Sequence, residues 1–249
     1  MPLWSAITEN TWGNTLFYGK GIKLLDNFVT ESNRKNKHNK IFVNTIFLLL
    51  MGFAFAGLIL LIKSGGIDGF DSTVYDSLRS LKSHTTKQIV KFLGGIGDPQ
   101  VNLYLGLAIA ALGIVVFANR GGYFKYILYA AAILIVSFLN PLLKEVFKRP
   151  HPDAEVDKFS FPSSHAAMAF MFYLVLYIVI NKHIKMKVGR IALAVFCIIM
   201  PILIGFSRVY LTNHYASDII GGYLESSIIF TIMLLVNNIV KCFSEKNKS

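Results

Sequence analysis

Long apolar runs separated by short polar segments make up most of the chain after residue 40. About 20 predominantly apolar residues suffice to cross the hydrocarbon core of a bilayer as an α-helix. Such runs occur six times, and they predict membrane spans at Ile41–Ile62, Val101–Ala118, Tyr123–Phe147, Ala166–Ile180, Ile191–Phe206 and Tyr215–Val240. The pattern therefore predicts an all-α membrane protein, a six-transmembrane-helix bundle.

The segments outside these spans differ in character. Residues 64–100 are polar and contain glycine, which predicts short helices near Ser72–Leu81 and Thr86–Leu93 and a break at Gly94–Pro99. Residues 1–40 mix aromatic and polar positions, which fits either an interfacial amphipathic segment or a poorly ordered cytoplasmic leader. We therefore expect an N-terminal segment at 1–40, one domain at 41–240 and a cytoplasmic tail at 241–249.

Composition supports a multi-pass membrane protein, since 54% of the residues are hydrophobic and only 16% are charged. The net charge of +11 would suggest a nucleic-acid partner in a soluble protein. Here the basic residues flank apolar runs, which indicates membrane topology and anionic lipid and no nucleic acid. The two cysteines, Cys197 and Cys242, have neither a disulfide nor a metal spacing, and the sequence gives no sign of oligomeric state.

The distribution of lysine and arginine predicts the orientation. With the N-terminus inside, the inner segments carry 15 of the 25 basic residues. Both termini are therefore predicted to be cytoplasmic, in a protein of the plasma membrane. The loops at 148–165 and 207–214 would then share the extracytoplasmic side, where their side chains could form one site.

Three polar stretches at span ends carry groups suited to chemistry. The first runs from Lys144 to Pro152, includes Arg149 and His151, and on its own could be a basic helix end at the lipid headgroups. The second, Phe161-Pro162-Ser163-Ser164-His165, opens a helix whose free N–H groups suit an anion.

The third stretch runs from Ser207 to Asp218. If a helix begins at Tyr215, His214 and Asp218 lie one turn apart on one face, and the carboxylate can hold one ring nitrogen while the other stays basic. His151, His165, His214 and Asp218 could alternatively bind zinc. The cations at the same position, Lys144, Arg149 and Arg208, favour an anion instead. The combination suits phosphoryl transfer.

These stretches resemble the signature of the type 2 phosphatidic acid phosphatase superfamily, which is Lys-x6-Arg-Pro, then Pro-Ser-Gly-His, then Ser-Arg-x5-His-x3-Asp. The third element matches completely, from Ser207 to Asp218. The second differs by one residue, Ser164 in place of glycine. The first begins at Lys144, but His151 stands where the family has arginine, and Arg149 lies two residues earlier.

The resemblance implies a role for each residue and no need for a metal or other cofactor. His214 would attack phosphorus and form a phosphohistidine, Asp218 would orient it, and His165 would protonate the leaving oxygen and then activate water. The phosphate oxygens would be bound by residues from all three stretches: Lys144, Arg149 or His151, Ser163, Ser164 and Arg208. We expect Arg149→Ala to reduce activity more than His151→Ala.

The sequence therefore predicts hydrolysis of a membrane lipid phosphate or diphosphate at the outer face. Phosphatidylglycerophosphate, phosphatidic acid and undecaprenyl pyrophosphate all fit, because the signature specifies the phosphate and not the lipid tail. A lipid phosphotransferase could use the same histidine. A small transporter is a further alternative, but few polar residues lie within its spans, chiefly Asn140 and Glu225.

Overall fold

The computed structural model describes residues 39–81, 83–118, 122–153 and 159–246. Within these ranges the chain forms eight α-helices, and its β-structure is limited to one isolated bridge between Pro150 and Phe159. The helices are α1 Asn39–Lys63, α2 Asp68–Arg79, α3 His84–Ile96, α4 Pro99–Phe117, α5 Phe124–Phe147, α6 Ser164–Ile180, α7 Lys187–Tyr210 and α8 Ala216–Lys246. The all-α prediction is confirmed.

Five helices are long and apolar enough to cross a membrane: α1, α4, α5, α7 and α8. They correspond to five of the six predicted spans. The remaining span, Ala166–Ile180, corresponds to α6, which is apolar but has only 17 residues. The count of six spans and the side of each terminus stay predictions, and the predicted segment 1–40 lies almost wholly outside the described residues.

Helix α6 lies in the interior of the bundle. Met168, Met171 and Val175 pack in one cluster with Ile133 of α5 and Phe230 of α8. A helix that is apolar on every side is typically enclosed by other helices. The second predicted stretch therefore begins a helix that other helices enclose.

Small residues allow the helices to approach closely. A Cβ built on Gly113 would lie 2.2 Å from the ring of Tyr126, and one built on Gly222 would lie 2.6 Å from the Ser163 carbonyl oxygen. Lipid tails are as apolar as leucine, so helix association in a membrane depends on such close packing. At Gly222 the approach brings α8 directly against the start of α6.

Helix α1 lies at the edge of the bundle, since only 6% of its most apolar segment is buried. Large side chains such as Phe42, Phe53 and Leu60 remain exposed along it. In a bilayer, these side chains would contact the lipid chains, which accounts for an apolar helix without a protein partner on most of its surface.

The two short helices predicted between the first spans are present, and both are longer than predicted. Ser83 and Thr86 form a reciprocal capping box at the start of α3. The predicted break falls later than Gly94, since α3 continues to Ile96 and Asp98 caps α4 by accepting from the N–H of Gln100 at 2.9 Å. Helices α2 and α3 pack on α7, at the end where the predicted site residues lie.

Candidate active site

The three predicted stretches meet where α5 and α7 end and α6 and α8 begin. The N–H of Ser160 donates to the Arg149 carbonyl at 2.7 Å, and the N–H of Ser163 donates to the Asp218 carbonyl at 3.1 Å. These backbone bonds hold the three segments against one another. The structure therefore brings the polar stretches to one end of the bundle.

A tight turn after α7 sets the position of His214. The Arg208 carbonyl oxygen accepts from the N–H groups of both Asn213, at 3.0 Å, and His214, at 3.3 Å. Thr212 has φ +64°, an uncommon conformation for a β-branched residue. The turn leaves His214 only 6% exposed, immediately before α8.

Asp218 lies in the first turn of α8 and is fully buried. Its Oδ2 accepts from the N–H of Tyr215 at 3.0 Å and lies 3.4 Å from Nδ1 of His214. The contact to His214 is long for a hydrogen bond, but it places the carboxylate beside one ring nitrogen. The other ring nitrogen is then the one available to a substrate.

Burial determines the protonation of His214. It lowers the pKa of the imidazole to about 4, against the opposing effect of Asp218, and Lys144 and His151 lower the pKa further. The ring is therefore neutral at physiological pH. A neutral imidazole with a free nitrogen lone pair is able to attack phosphorus.

Arg149 lies between two buried carboxylates. Its Nη1 donates to Oδ1 of Asp218 at 2.8 Å, and its Nη2 donates to Oδ2 of Asp71 at 2.8 Å. The guanidinium also stacks on Tyr215, 4.1 Å from the ring centre. Both Nη groups thus bind protein carboxylates, which differs from the phosphate contact expected of Arg149.

His151 lies beside His214 instead. The two ring centres are 4.9 Å apart, and Nδ1 of His151 contacts the carbonyl oxygen of Asn213. The position at which the family signature has arginine is therefore next to the predicted nucleophile. The two candidates for the role of the family's arginine therefore lie in different places. His151 adjoins His214, whereas Arg149 binds Oδ1 of Asp218, the carboxylate oxygen that does not face the His214 ring.

The start of α6 presents backbone donors. Ser163 caps the helix, since its side-chain oxygen faces the N–H of Ala166 at 3.5 Å and its carbonyl accepts from Ala167. In the part of the chain that the structure describes, the N–H groups of Ser164 and His165 have no protein acceptor. Two free N–H groups at a helix start suit an anionic oxygen.

Lys144 supports the loop that leads into this helix. Its Nζ donates to the carbonyl oxygen of Phe159 at 2.8 Å and lies 3.4 Å from that of Ser160. The ammonium also interacts electrostatically with both His165 and His214. Lys144 therefore contributes positive charge at the junction of the three stretches.

His165 and Arg208 line an open pocket of about 500 Å³ together with Asn213. His214 and Arg149 line a neighbouring pocket of about 560 Å³. The two histidines therefore open into different pockets. A substrate that engages both would lie across the turn that separates these pockets.

Buried polar groups behind the start of α6 form a second network. Asn140 donates to Oε2 of Glu225 at 2.7 Å and to the Pro162 carbonyl at 3.3 Å, and it accepts from Oγ of Ser164 at 2.5 Å. Asn140 thereby connects the Glu225 carboxylate to Pro162 and Ser164 at the start of α6, so Glu225 supports the site from behind.

Two further residues were not anticipated from the sequence. Asp71 binds Arg149 from α2, and Gly94 of α3 faces Arg208, since a Cβ there would lie 2.9 Å from Nη1. Both lie outside the three stretches, and nothing in their local spacing marks them. Among the described residues, no three His, Cys, Asp or Glu side chains are grouped as metal ligands would be.

The fold and site define a multi-pass helical membrane protein whose buried histidine, carboxylate and cations are arranged for an anionic substrate. Comparisons with known proteins agree. The profile of the PAP2 superfamily matches residues 125–241. Phosphatidylglycerophosphatase B of Bacillus subtilis (strain 168) is 30% identical over 155 residues, which cover 58% of this chain and 73% of that protein.

A solved structure extends the likeness to the fold. The crystal structure of the first transmembrane PAP2-type phosphatidylglycerolphosphate phosphatase from Bacillus subtilis superposes with a TM-score of 0.65 at 23% identity. The match covers 80% of this chain and 96% of that one. The chain belongs to the PAP2 superfamily, and it is a phosphatase.

Proposed function

We propose that this protein hydrolyses a lipid phosphate at the extracytoplasmic face of the plasma membrane through a phosphohistidine intermediate. The observation that carries the proposal is the buried imidazole of His214 with its Nδ1 beside Asp218. The cations and free helix-start amides around it suit a phosphoryl group. The excess of basic residues on the opposite side supports the orientation.

In the first step, the free ring nitrogen of His214 bonds to phosphorus while the bond from phosphorus to the lipid oxygen breaks. His165 enters this step as the imidazolium, gives its proton to that departing oxygen and is left neutral. Arg208, Lys144, Ser163 and the N–H of Ser164 hold the oxygens of the phosphoryl group during transfer. Asp218 keeps the His214 ring in one orientation and stabilises its positive charge.

In the second step, His165 takes a proton from water as the water oxygen bonds to phosphorus. The bond from His214 to phosphorus then breaks and inorganic phosphate leaves.

His151 rather than Arg149 provides the contact of the first stretch with the phosphate, since His151 is the residue beside His214. Arg149 acts on Asp218, to which it is hydrogen-bonded.

Phosphatidylglycerophosphate is the first substrate to test, because a relative 30% identical to this chain bears the name of a phosphatidylglycerophosphatase. Phosphatidic acid and undecaprenyl pyrophosphate complete the set. Purified protein with chelator present should release inorganic phosphate from at least one of them. Phosphorylated lipid in place of free phosphate would identify a phosphotransferase, and loss of activity on chelation would identify a metal enzyme.

The intermediate can be trapped directly. Brief incubation with phosphate-labelled lipid and an alkaline quench should leave label on the wild-type protein that is lost in acid, as expected for a phosphohistidine. A His214→Asn variant should carry no label and show no turnover. Wild-type turnover in this variant would overturn the assignment of the nucleophile.

A further inference from the structure

Asp71 has an unusual set of partners for a residue of a short peripheral helix. It is 3% exposed and accepts three hydrogen bonds. Oδ1 accepts from the N–H of Ser217 at 2.9 Å, and Oδ2 accepts from Oγ of Ser217 at 2.5 Å and from Arg149 at 2.8 Å. Both carboxylate oxygens of Asp71 therefore bind Ser217, in the first turn of α8. One of them also binds Arg149, which in turn binds Asp218 in the same turn.

These contacts continue without interruption to His214. Asp71 binds Nη2 of Arg149, Nη1 of Arg149 binds Oδ1 of Asp218, and Oδ2 of Asp218 faces Nδ1 of His214. Arginine has a planar, rigid fork, so fixing one nitrogen also fixes the direction of the other. The position of Asp71 thereby determines the direction from which Arg149 holds Asp218.

Asp71 also balances charge. Arg149 alone would draw electron density from Asp218 and weaken its hold on an imidazolium ring. A second carboxylate on the same guanidinium offsets this pull, because Arg149 then divides its charge between two anions. All four side chains are at most 10% exposed, so solvent screens these effects little.

We propose that Asp71 is a positioning residue that acts through Arg149 and Asp218 on His214. This inference rests on the proposed function, in which His214 is the nucleophile.

The variant Asp71→Asn tests this role, because it keeps the size of the side chain and removes its charge. We expect kcat to fall about 10- to 100-fold with KM changed less than about threefold, since Asp71 orients a reacting group without touching substrate.

Asp76→Asn is the matched control, because Asp76 lies on the same helix, is exposed and undergoes the same change of charge. It should leave kcat and KM unchanged. Activity is expressed per folded protein, measured from the thermal transition of each variant. A residue with a structural role alone would lower the transition temperature without changing kcat per folded molecule, and that result would overturn the proposal.

The double variant Asp71→Asn/Asp218→Asn tests the route of the effect. If Asp71 acts through Asp218, its kcat cost should nearly vanish when Asp218 is already changed. The same full cost in both backgrounds would overturn the proposal. Failure of the proposed function would be recognised separately, by turnover in His214→Asn.

A second inference comes from the pocket that contains His165 and Arg208. Lys87 and Lys91 of α3 also line this pocket, one helical turn apart. Nε of Arg208 is buried and has no hydrogen-bond acceptor within the described residues. The pocket also includes Asp98, so three cations and one carboxylate surround about 500 Å³.

We propose that Lys87 and Lys91 bind a second anionic group of the substrate, a phosphate beyond the one transferred. The pocket lies alongside His165, the predicted proton donor to the leaving group, so the remainder of the substrate would pass by these lysines. Lipids with two phosphates would therefore be preferred over phosphatidic acid, which has one. This inference rests on the proposed function and narrows its substrate class.

The test compares kcat/KM for phosphatidylglycerophosphate and phosphatidic acid. Lys87→Gln and Lys91→Gln should each lower the ratio of the two values about threefold to tenfold, whereas Lys63→Gln, an exposed lysine outside the pocket, should not. An unchanged ratio, or equal losses on both lipids, would overturn the inference. Absence of wild-type activity on both lipids and on undecaprenyl pyrophosphate would instead overturn the proposed function.

Discussion

Replacing Gly94 with alanine tests whether Arg208 must keep its present position. Gly94 is buried in α3, and a Cβ there would lie 2.9 Å from Nη1 of Arg208 and 3.5 Å from Oγ of Ser207. Ordinary van der Waals contact would require the guanidinium to move by about 0.5 Å. The displaced atoms are the end of a flexible side chain, so the protein should fold normally with Arg208 shifted.

The size of the effect follows from this displacement. A shift of about 1 Å in a positioned group can cost on the order of 100-fold in rate, so about 0.5 Å should lower kcat/KM roughly tenfold. Alanine in a helix interior is also more favourable than glycine by about 0.5–1 kcal/mol. Gly94→Ala should therefore lose activity while its thermal stability is unchanged or raised.

Gly57→Ala is the control, because this glycine also lies inside a helix, α1, and no atom lies within 4 Å of a Cβ at this position. It should gain the same helix stability and keep wild-type activity. Initial rates and thermal unfolding of both variants are measured in the same detergent. Wild-type kcat/KM in Gly94→Ala, or equal losses in both variants, would show that the position of Arg208 does not limit the reaction.

Three further predictions concern groups around His214. His151→Arg should lower KM about twofold to tenfold, because a permanent cation would then lie beside the transferred phosphate; an unchanged or higher KM contradicts this contact. The value of kcat/KM should be maintained as pH falls from 6.5 and should decline only as the pH approaches 4. Burial lowers the pKa of His214 to about 4, and only the neutral ring attacks. Glu225→Gln should retain activity, because an oxygen still accepts from Asn140, whereas Glu225→Leu should reduce thermal stability by leaving that donor unpaired.

The sequence predicted those parts of the site that depend on short-range spacing. His214 and Asp218 are four residues apart, and the start of α8 at Ala216 is enough to bring them together. Proline and small hydroxyl residues likewise indicated the start of α6 at Ser164. Such features depend on helix geometry, so the surrounding fold changes them little.

The partner of Arg149 depended on tertiary contacts and could not be predicted. Asp71 is 78 residues from Arg149 and 146 residues from Ser217 in the sequence. An acidic residue in a polar helix usually faces solvent. The phosphate contact expected of Arg149 rested on its neighbours in the sequence. The packing of α2 against α8 decides instead that this guanidinium binds two carboxylates.

The cations of the site therefore differ in what neutralises them. Arg149 is paired within the protein, so Arg149→Gln should leave two buried carboxylates uncompensated and lower the free energy of unfolding by about 3–5 kcal/mol. Arg208 faces a pocket, with its Nε lacking an acceptor among the described residues, so Arg208→Gln should raise KM strongly and leave stability nearly unchanged. Thermal unfolding and steady-state kinetics on both variants test the distinction. The opposite pattern, an unstable Arg208→Gln and a stable Arg149→Gln with high KM, would mean that Arg149 is the residue that binds the phosphate.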